Sequence, residues 1–486
     1  MLSLAVLLPI VSGLLMLLCG MKTRRMRELV VEGVTIVTSL LVLICLLNRQ
    51  EQPQTLFSLL PGLPIAFRID GVGSVFTGIV ALLWPLATLY GFEYMEHEGG
   101  ESHFFALYTI TYGVTLGIST AANIMTMYLF YEFLTLSTLP LVMHGTSDEA
   151  VRAGKKYMLY SFFGAALAFI GVMLVIVYGN GGGFVMGGVM EGSGAGNWIV
   201  QVGYLCAFLG FGVKAAVFPL HAWLPAVSVA PTPVTALLHA VAVVKSGVFA
   251  IIRVTYFCFG AQLLRGTPAQ TVALLLASAT IVYGSTFAVK EHHFKRRLAY
   301  STVSNLSYIV LAACLMTASG LTAALAHMLF HALIKITLFF CAGAVLVKTG
   351  KTQIEGLRGL SRVMPVTCAA YTVGALALMG TPLLPAFVSK WLIGTAALEA
   401  GTPAALVGLG AILISAVLTA IYLMVPAFFM YFRPLDPQCG LREGEMRDPG
   451  LRMKLPFAVL MCCIVLCGLF SDQIVTMLTA IAAGVM

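Results

Sequence analysis

Residues 326–340 read AHMLFHALIKITLFF. The composition is that of a helix made for lipid, yet His327, His331 and Lys335 recur at every fourth position. At about 100° per residue the three drift by only about 80°, so they form one polar stripe on one helix face. Packing alone does not require a column of three proton-binding groups, and accounting for them settles both the fold class and the chemistry.

The chain around this stretch has 486 residues, 59% of them hydrophobic and 10% charged. Its mean hydropathy is +0.96. A soluble domain carries about 25% charged residues. The apolar runs are about 20 residues long and do not alternate, which predicts membrane-spanning helices rather than barrel strands. Fourteen such segments are expected, at 2–20, 28–47, 72–92, 103–121, 122–143, 154–179, 198–217, 231–256, 270–289, 298–317, 321–346, 365–398, 402–432 and 455–484. No basic stretch precedes residues 2–20, which run directly into MKTRRMR (21–27), so no cleaved leader is expected.

A formal charge of +8 could point to nucleic acid, but its placement points to orientation. With the N-terminus outside, 20 of the 28 basic residues fall in inward loops. Arg49, Arg68, Arg253 and Arg265 fall in outward ones, and Lys214, Lys245, Lys335 and Lys390 fall inside apolar segments. This asymmetry follows the positive-inside rule and excludes a nucleic-acid role for the charge. The acidic stretch EYMEHEGGESH (93–103) is contrary, although acids weigh little in that rule. The 11 cysteines are scattered without a CxxC pair and read as inert packing residues. The loop NGGGFVMGGVMEGSGAGN (180–197) has no GK[ST] and reads as a flexible linker, not a phosphate cradle.

Two segments are interrupted. KAAVFPLHAWLPAVSVAPTP (214–233) carries four prolines, and GTPLLPAFVSK (380–390) carries Gly380, Pro382 and Pro385. Proline removes a backbone donor and clashes with the preceding turn, and such breaks survive in a bilayer only where protein or water meets the freed carbonyls. Each break has a lysine at its edge, Lys214 or Lys390, and the two lie five segments apart. That odd offset predicts two inverted five-helix repeats. The expected architecture is therefore an all-α membrane protein of fourteen transmembrane helices, with three N-terminal helices in 1–102. The first inverted repeat would span 103–256 and the second 270–432, each containing a broken helix. An inward loop and the last helix would occupy 433–486, with both termini on the outer side.

Of the 20 acidic residues only Glu132, in YLFYEFLTLS, lies deep in an apolar run. With the four buried lysines it makes five charges, each costing about 2.5–3.5 kcal/mol at a helix centre if unpaired. Each has a bland explanation. Glu132 could pair with a lysine to fix packing, Lys214 and Lys390 could cap carbonyls freed at the breaks, and His239 could be a hydrogen-bonded interior histidine. The stripe exceeds such needs. Histidine titrates near neutral pH, and a desolvated lysine loses affinity for its proton. Glu132, Lys214, Lys245, His327, His331, Lys335 and Lys390 are therefore candidate proton-transfer groups along a mid-membrane axis, with His239 as an accessory. A Glu132–Lys214 contact would act as a switch, releasing the lysine proton when it opens.

The segments LFYEFLTLST (129–138), GFGVKAAVFPLHAWLPAVSVAPTPVTALLHAVAVVKSG (210–247), KRRLAYSTVSNLSYI (295–309), HMLFHALIKITLFFCAG (327–343) and GTPLLPAFVSKW (380–391) carry a family likeness. The chain resembles the antiporter-like proton-translocating membrane subunits of complex I, membrane-bound hydrogenases, formate hydrogenlyases and Mrp-type sodium/proton antiporters. The resemblance implies fourteen helices with two inverted bundles, a Glu132–Lys214 switch pair, a central relay of Lys245, His327, His331 and Lys335, and Lys390 next to the exit. It also implies other membrane subunits, peripheral redox subunits and lipids as partners in a prokaryotic inner membrane. The family often has Trp before the glutamate where Tyr131 stands, Asp where Ala226 stands, and a glycine before Phe387. Ala226 is expected to alter the inward mouth, and the missing glycine to stiffen the twelfth helix. Ending at the fourteenth helix, the chain resembles members without a lateral arm. No cysteine cluster, GxGxxG-to-helix turn or haem ligand pair is evident, so no cofactor is expected in this chain. Three functions remain open: a subunit of a redox-driven pump, a subunit of an Mrp-type antiporter, and a structural spacer. The charge asymmetry predicts that an epitope inserted at Lys351 is reached by antibody only from the inner side of the membrane, and one at Gly266 only from the outer side.

Overall fold

The computed structural model describes residues 1–486 except 22, 49–51, 146, 180, 191–195, 436–445 and 486. The chain opens with α1 (Leu2–Cys19) and α2 (Arg24–Leu47), a hairpin of β1 (Gln54–Leu60) and β2 (Leu63–Phe67), then α3 (Gly71–Tyr94), α4 (Glu101–Ser119), α5 (Ile124–Val142) and α6 (Asp148–Tyr178). The middle comprises α7 (Asn197–Lys214), α8 (Trp223–Ala226), α9 (Thr232–Ala240), α10 (Val243–Arg253), a π-helical turn Val254–Phe259, α11 (Ala261–Leu264) and α12 (Pro268–Lys290). It continues with α13 (Phe294–Cys314), α14 (Ala318–Thr349), α15 (Pro365–Met379), α16 (Pro385–Ala400), α17 (Pro403–Phe432), α18 (Leu451–Leu469) and α19 (Ser471–Ala483). Among the described residues ten helices are long and apolar enough to cross a membrane. They become eleven if the bent pair Ile354–Arg362 and Pro365–Met379 is one span. The protein is an integral membrane protein, mostly helical.

Side chains fix where many helices begin. Asp70 accepts from Gly73 N at 2.8 Å, Asn123 from Thr126 N at 2.7 Å and Thr317 from Gly320 N at 3.0 Å, each meeting a backbone donor the helix itself leaves open. The stripe helix α14 has 32 residues, about 48 Å of rise. It packs against α3, α9, α13, α15, α16, α18 and α19, so it is the central post of the molecule. Tyr90 of α3 stacks on Phe340 with ring centroids 3.9 Å apart and donates to the Phe340 carbonyl at 2.8 Å.

Several expectations need correction. The all-α reading omits the β-hairpin. LeuProGlyLeu (60–63) supplies a tight turn, with proline second and Gly62 third at φ 83°, a conformation glycine adopts without cost. The segment 231–256 is not one helix. It breaks at Val241 (φ −127°, ψ −60°) and Ala242 (φ −82°, ψ −82°), with no proline or glycine to announce the break. Arg253, assigned to an outward loop, is fully buried at the end of α10 and makes a two-pronged pair with Asp70. Lys295 and Arg297, assigned to an inward loop, are buried in the first turn of α13.

The described part of the glycine loop, 181–190, is packed rather than a loose linker. Val185 N donates to the Phe257 carbonyl, and Val189 and Met190 N donate to that of Cys258. A Cβ on Gly188 would fall 2.5 Å from Gly260 Cα, so only glycine admits this backbone-on-backbone contact. Residues 180 and 191–195 of that loop, and Lys22, Arg49, Arg442 and Cys439, lie outside the described residues.

The contrary acidic stretch also finds its reason. Glu96 pairs with Arg24 and Glu101 with Arg27, so these acids are partners of basic residues at the start of α2. Glu93 accepts from Gly450 N and lies 3.6 Å from Lys348, which pins the start of α18 to the end of α3. Asp448 accepts from the amides of Val366 and Thr367 and so holds the first turn of α15.

The Arg253 guanidinium is enclosed by the rings of Phe184, Phe249 and Phe257, with centroids 4.5 to 4.9 Å away. Removing Asp70 would strand a buried charge, which costs about 3–5 kcal/mol. Asp70→Ala is expected to lower the thermal unfolding midpoint of the purified protein, and Asp70→Ala with Arg253→Met to recover most of that loss.

Candidate functional site

The candidate side chains come from α5, α7, α9, α10, α14 and α16, and all six helices reach one interior band. α7 ends at Lys214. Val217 N turns back to the Gly212 carbonyl at 2.9 Å, and Trp223 Nε1 donates to the Val213 carbonyl at 2.7 Å, so the break is closed by protein groups. Lys214 is buried, its Nζ 3.4 Å from the centroid of the Tyr131 ring, and it donates to the Tyr131 carbonyl. Glu132, the next residue of α5, is partly buried, with Oε1 lacking a hydrogen-bond partner in the protein. Glu132 and Lys214 act on each other electrostatically, but no ion pair forms between them within 4.0 Å. The expected switch contact is open in this structure.

α10 approaches the end of α7 because residue 247 is glycine. A Cβ there would lie 2.7 Å from the Lys214 carbonyl carbon and 3.0 Å from Lys214 Cβ. The break at 241–242 places Lys245 in the first turn of α10. Its Nζ lies 2.7 Å from His331 Nδ1, and both side chains are fully buried. The direction of that hydrogen bond depends on the imidazole tautomer.

The stripe on α14 spreads to three neighbours. His331 meets Lys245 of α10. His327 Nδ1 lies 2.9 Å from Ser389 Oγ of α16, and the His327 and His331 rings are 5.9 Å apart. Lys335 Nζ donates to the Leu298 carbonyl at 2.9 Å and to Ser301 Oγ at 2.7 Å, both on α13. Ser301 continues to Tyr422 Oη at 2.8 Å, which reaches Thr419 Oγ1 at 3.1 Å. Lys335 thus leads toward α17, while His327 leads toward Lys390.

Lys390 is partly buried and donates to the Leu378 and Met379 carbonyls at 2.7 and 3.0 Å. These are the last carbonyls of α15, which ends on Gly380 in the left-handed conformation. Capping is therefore one role of Lys390. Tyr308 stands between it and the histidines, its ring 5.3 Å from that of His327 and 5.7 Å from Lys390 Nζ. His239 is buried on the Phe339 ring at 4.6 Å, and neither ring nitrogen has a partner in the protein.

Sequence reading named the charged and imidazole members but not Ser301, Tyr308, Ser389, Tyr422 or the Tyr131 carbonyl. Only the adjacency of Ser389 to Lys390 gives any signal. Serine and tyrosine are ordinary in membrane helices, and a carbonyl has no signature at all.

The matched family model is described as NADH:quinone oxidoreductase/Mrp antiporter, TM, and it covers residues 121–419. The chain belongs to this family. It is 31% identical over 424 residues to NADH-quinone oxidoreductase subunit N of Desulforudis audaxviator, a match covering 84% of this chain and 82% of that one. It is 31% identical over 342 residues to a probable K(+)/H(+) antiporter protein of Rhizobium meliloti, covering 70% of this chain but only 33% of that protein. A chain of the membrane-bound sulfane sulfur reductase, an archaeal respiratory membrane complex, superposes with a TM-score of 0.87 at 25% identity, covering 100% of this chain and 99% of that one. The matched region contains every candidate residue from Glu132 to Lys390.

The close approach of α10 to Lys214 generates a packing prediction. Gly247→Val is expected to destabilise the protein by about 1–3 kcal/mol through overpacking. Gly33→Val, where an added Cβ meets nothing within 4 Å, serves as the control and should leave thermal unfolding unchanged.

Proposed function

We propose that this chain is a proton-translocating, antiporter-like membrane subunit of a redox-driven complex. The observation that carries the proposal is the buried array Lys245–His331–His327–Ser389, with Lys390 and Tyr308 at its end. It joins α10, α14 and α16 through groups that can each take up and release a proton. His331 receives a proton from Lys245 on Nδ1 and releases one from Nε2. That nitrogen and His327 Nε2 have no partner in the protein, and a water between the rings would connect them. Glu132 Oε1, Asn305 Oδ1 and both nitrogens of His239 are likewise buried and unmet. Each such atom costs about 1–3 kcal/mol unless solvent reaches it, which favours a hydrated seam over dry packing. Lys214 and Glu132 would load the seam and Lys390 would unload it.

The same reading takes the chain as fourteen crossings. The four segments beyond the ten apolar helices correspond to α4, α7, α13 and the broken pair α15–α16, the first three carrying more polar residues and the pair being divided into halves of 15 and 16 residues. Repeats at 103–256 and 270–432 are supported by matched features: Lys214 over Tyr131 beside one break, and Lys390 over Tyr308 beside the other. Both termini would face outward across a prokaryotic inner membrane. Further antiporter-like and small helical subunits, lipids and peripheral redox subunits would be the partners.

The redox setting is supported by the likeness to oxidoreductase subunit N along 84% of this chain and to a chain of a respiratory membrane complex along 100% of it. Equal identity to the antiporter relative keeps a cation/proton antiporter as the second reading. The test uses the intact assembly in vesicles. Lys245→Met and Lys335→Met should each cut proton translocation about 100-fold, the low end of what a positioned proton carrier contributes, with the subunits still assembled. Unchanged translocation would leave a spacer role. Translocation that runs on a sodium or potassium gradient without an electron donor would select the antiporter.

A further inference from the structure

α13 and α17 meet along a buried polar seam. On α17, Ser415, Thr419 and Tyr422 follow one another at spacings of four and three residues, so they share one helix face. All three are fully buried, as are Ser301 of α13 and Lys335 of α14. Two clamps hold the seam in register. Arg297, in the first turn of α13, donates to the Tyr422 carbonyl at 3.2 Å, and Tyr308 Oη donates to the Ile412 carbonyl at 3.3 Å.

Between the clamps runs a ladder of hydrogen bonds. Lys335 Nζ reaches Ser301 Oγ at 2.7 Å, and Ser301 Oγ reaches Tyr422 Oη at 2.8 Å. Tyr422 Oη reaches Thr419 Oγ1 at 3.1 Å, and Thr419 Oγ1 reaches the Ser415 carbonyl at 2.7 Å. The far end fixes every direction on the ladder. A carbonyl can only accept, and each hydroxyl has one proton, so the Thr419 proton is spent on Ser415. Thr419 must then accept from Tyr422, Tyr422 from Ser301, and Ser301 from Lys335. Ser301 therefore offers Lys335 a lone pair and no proton. The Leu298 carbonyl, which also accepts from Lys335 Nζ, offers the same.

A ladder that ends on a backbone carbonyl carries no proton onward, so its effect is orientation and not conduction. A neutral lysine amine has two N–H donors and one lone pair. With one N–H spent on Leu298 and the other on Ser301, the tetrahedral nitrogen turns its lone pair away from both acceptors, where a proton can arrive. Resting on the proton-translocating reading above, we propose that Tyr422 is a positioning residue that acts through Ser301 to keep the Lys335 lone pair open. Without the Tyr422 oxygen, the Ser301 O–H is released to donate to the neutral amine. The lone pair is then capped, and the proton that should form the third N–H bond must first displace the hydroxyl.

The experiment measures proton translocation by the intact assembly in vesicles, with assembly and thermal unfolding checked for each variant. Tyr422→Phe deletes one oxygen and keeps the ring. It is expected to slow translocation several-fold, the scale of one redirected hydrogen bond. Ser301→Ala has no O–H with which to cap the amine and should be milder. The double variant decides. Ser301→Ala with Tyr422→Phe should run at the rate of Ser301→Ala, so that the second substitution restores part of what the first removed, whereas packing damage would add. Should Tyr422→Phe fail to assemble, Thr419→Val frees Tyr422 to donate to Ser301, and it should show the same loss and the same rescue by Ser301→Ala. Normal translocation in Tyr422→Phe beside an inactive Lys335→Met, or a double variant slower than either single one, would overturn the inference and leave the axis standing. Normal translocation in Lys335→Met would overturn the proton-translocating reading, and this inference with it.

Discussion

Lys214, Lys245, Lys335 and Lys390 line the interior array, and none of them forms an ion pair with a carboxylate among the described residues. Lys214, Lys335 and Lys390 rest on backbone carbonyls, and Lys245 rests on an imidazole. The choice of acceptor has a physical consequence. A carboxylate holds an ammonium ion through full charge and opposes loss of its proton. A carbonyl or neutral imidazole orients the amine with a weaker, dipolar attraction and can keep a hydrogen bond to the neutral amine as well. The lysines are thereby fixed in place without being fixed in charge. On the proposed reading this lets cations stand in a bilayer and still give up protons, and at Lys390 it draws on a helix break. Lys214 and Lys335 share carbonyls within α5 and α13, whereas the end of α15 leaves two free for Lys390.

The fold and the site were not equally legible in the sequence. Membrane character, the two proline-marked breaks and the charged members of the axis stand out because each violates what an apolar helix tolerates. The break at Val241–Ala242 does not stand out, since it is imposed by packing and not by residue type, yet it is what sets Lys245 at a helix start facing His331. The hairpin is hidden for a related reason. TLFSLLPGLPIAF reads as loop only while long apolar helices dominate the pattern, although its Pro-Gly turn is explicit. Arg253 misleads by position: a basic residue at the edge of an apolar run looks like a loop charge, and only the third dimension brings Asp70 to it from 183 residues away.

The stripe on α14 also turns out to be less linear than its spacing suggests. Three groups on one face do not make one wire, because a helix packed on all sides hands each turn to a different neighbour. His327 goes to α16, His331 to α10 and Lys335 to α13. The stripe is a junction of contacts, with arms that end on Ser389, on Lys245, and on Ser301 with Tyr422 behind it.

The contact between Glu93 and Gly450 spans 357 residues. At about 5–20 residues per second, a ribosome needs roughly 20–70 s to deliver the second partner after the first. The ion-pair partner of Glu93, Lys348, is also synthesised late. The clasp therefore imposes an order on biogenesis: the first three helices must wait in the bilayer with their seam unsealed, and α18 closes the bundle as one of its last steps. Any membrane insertase or neighbouring protein that attends this chain would find its work at that seam.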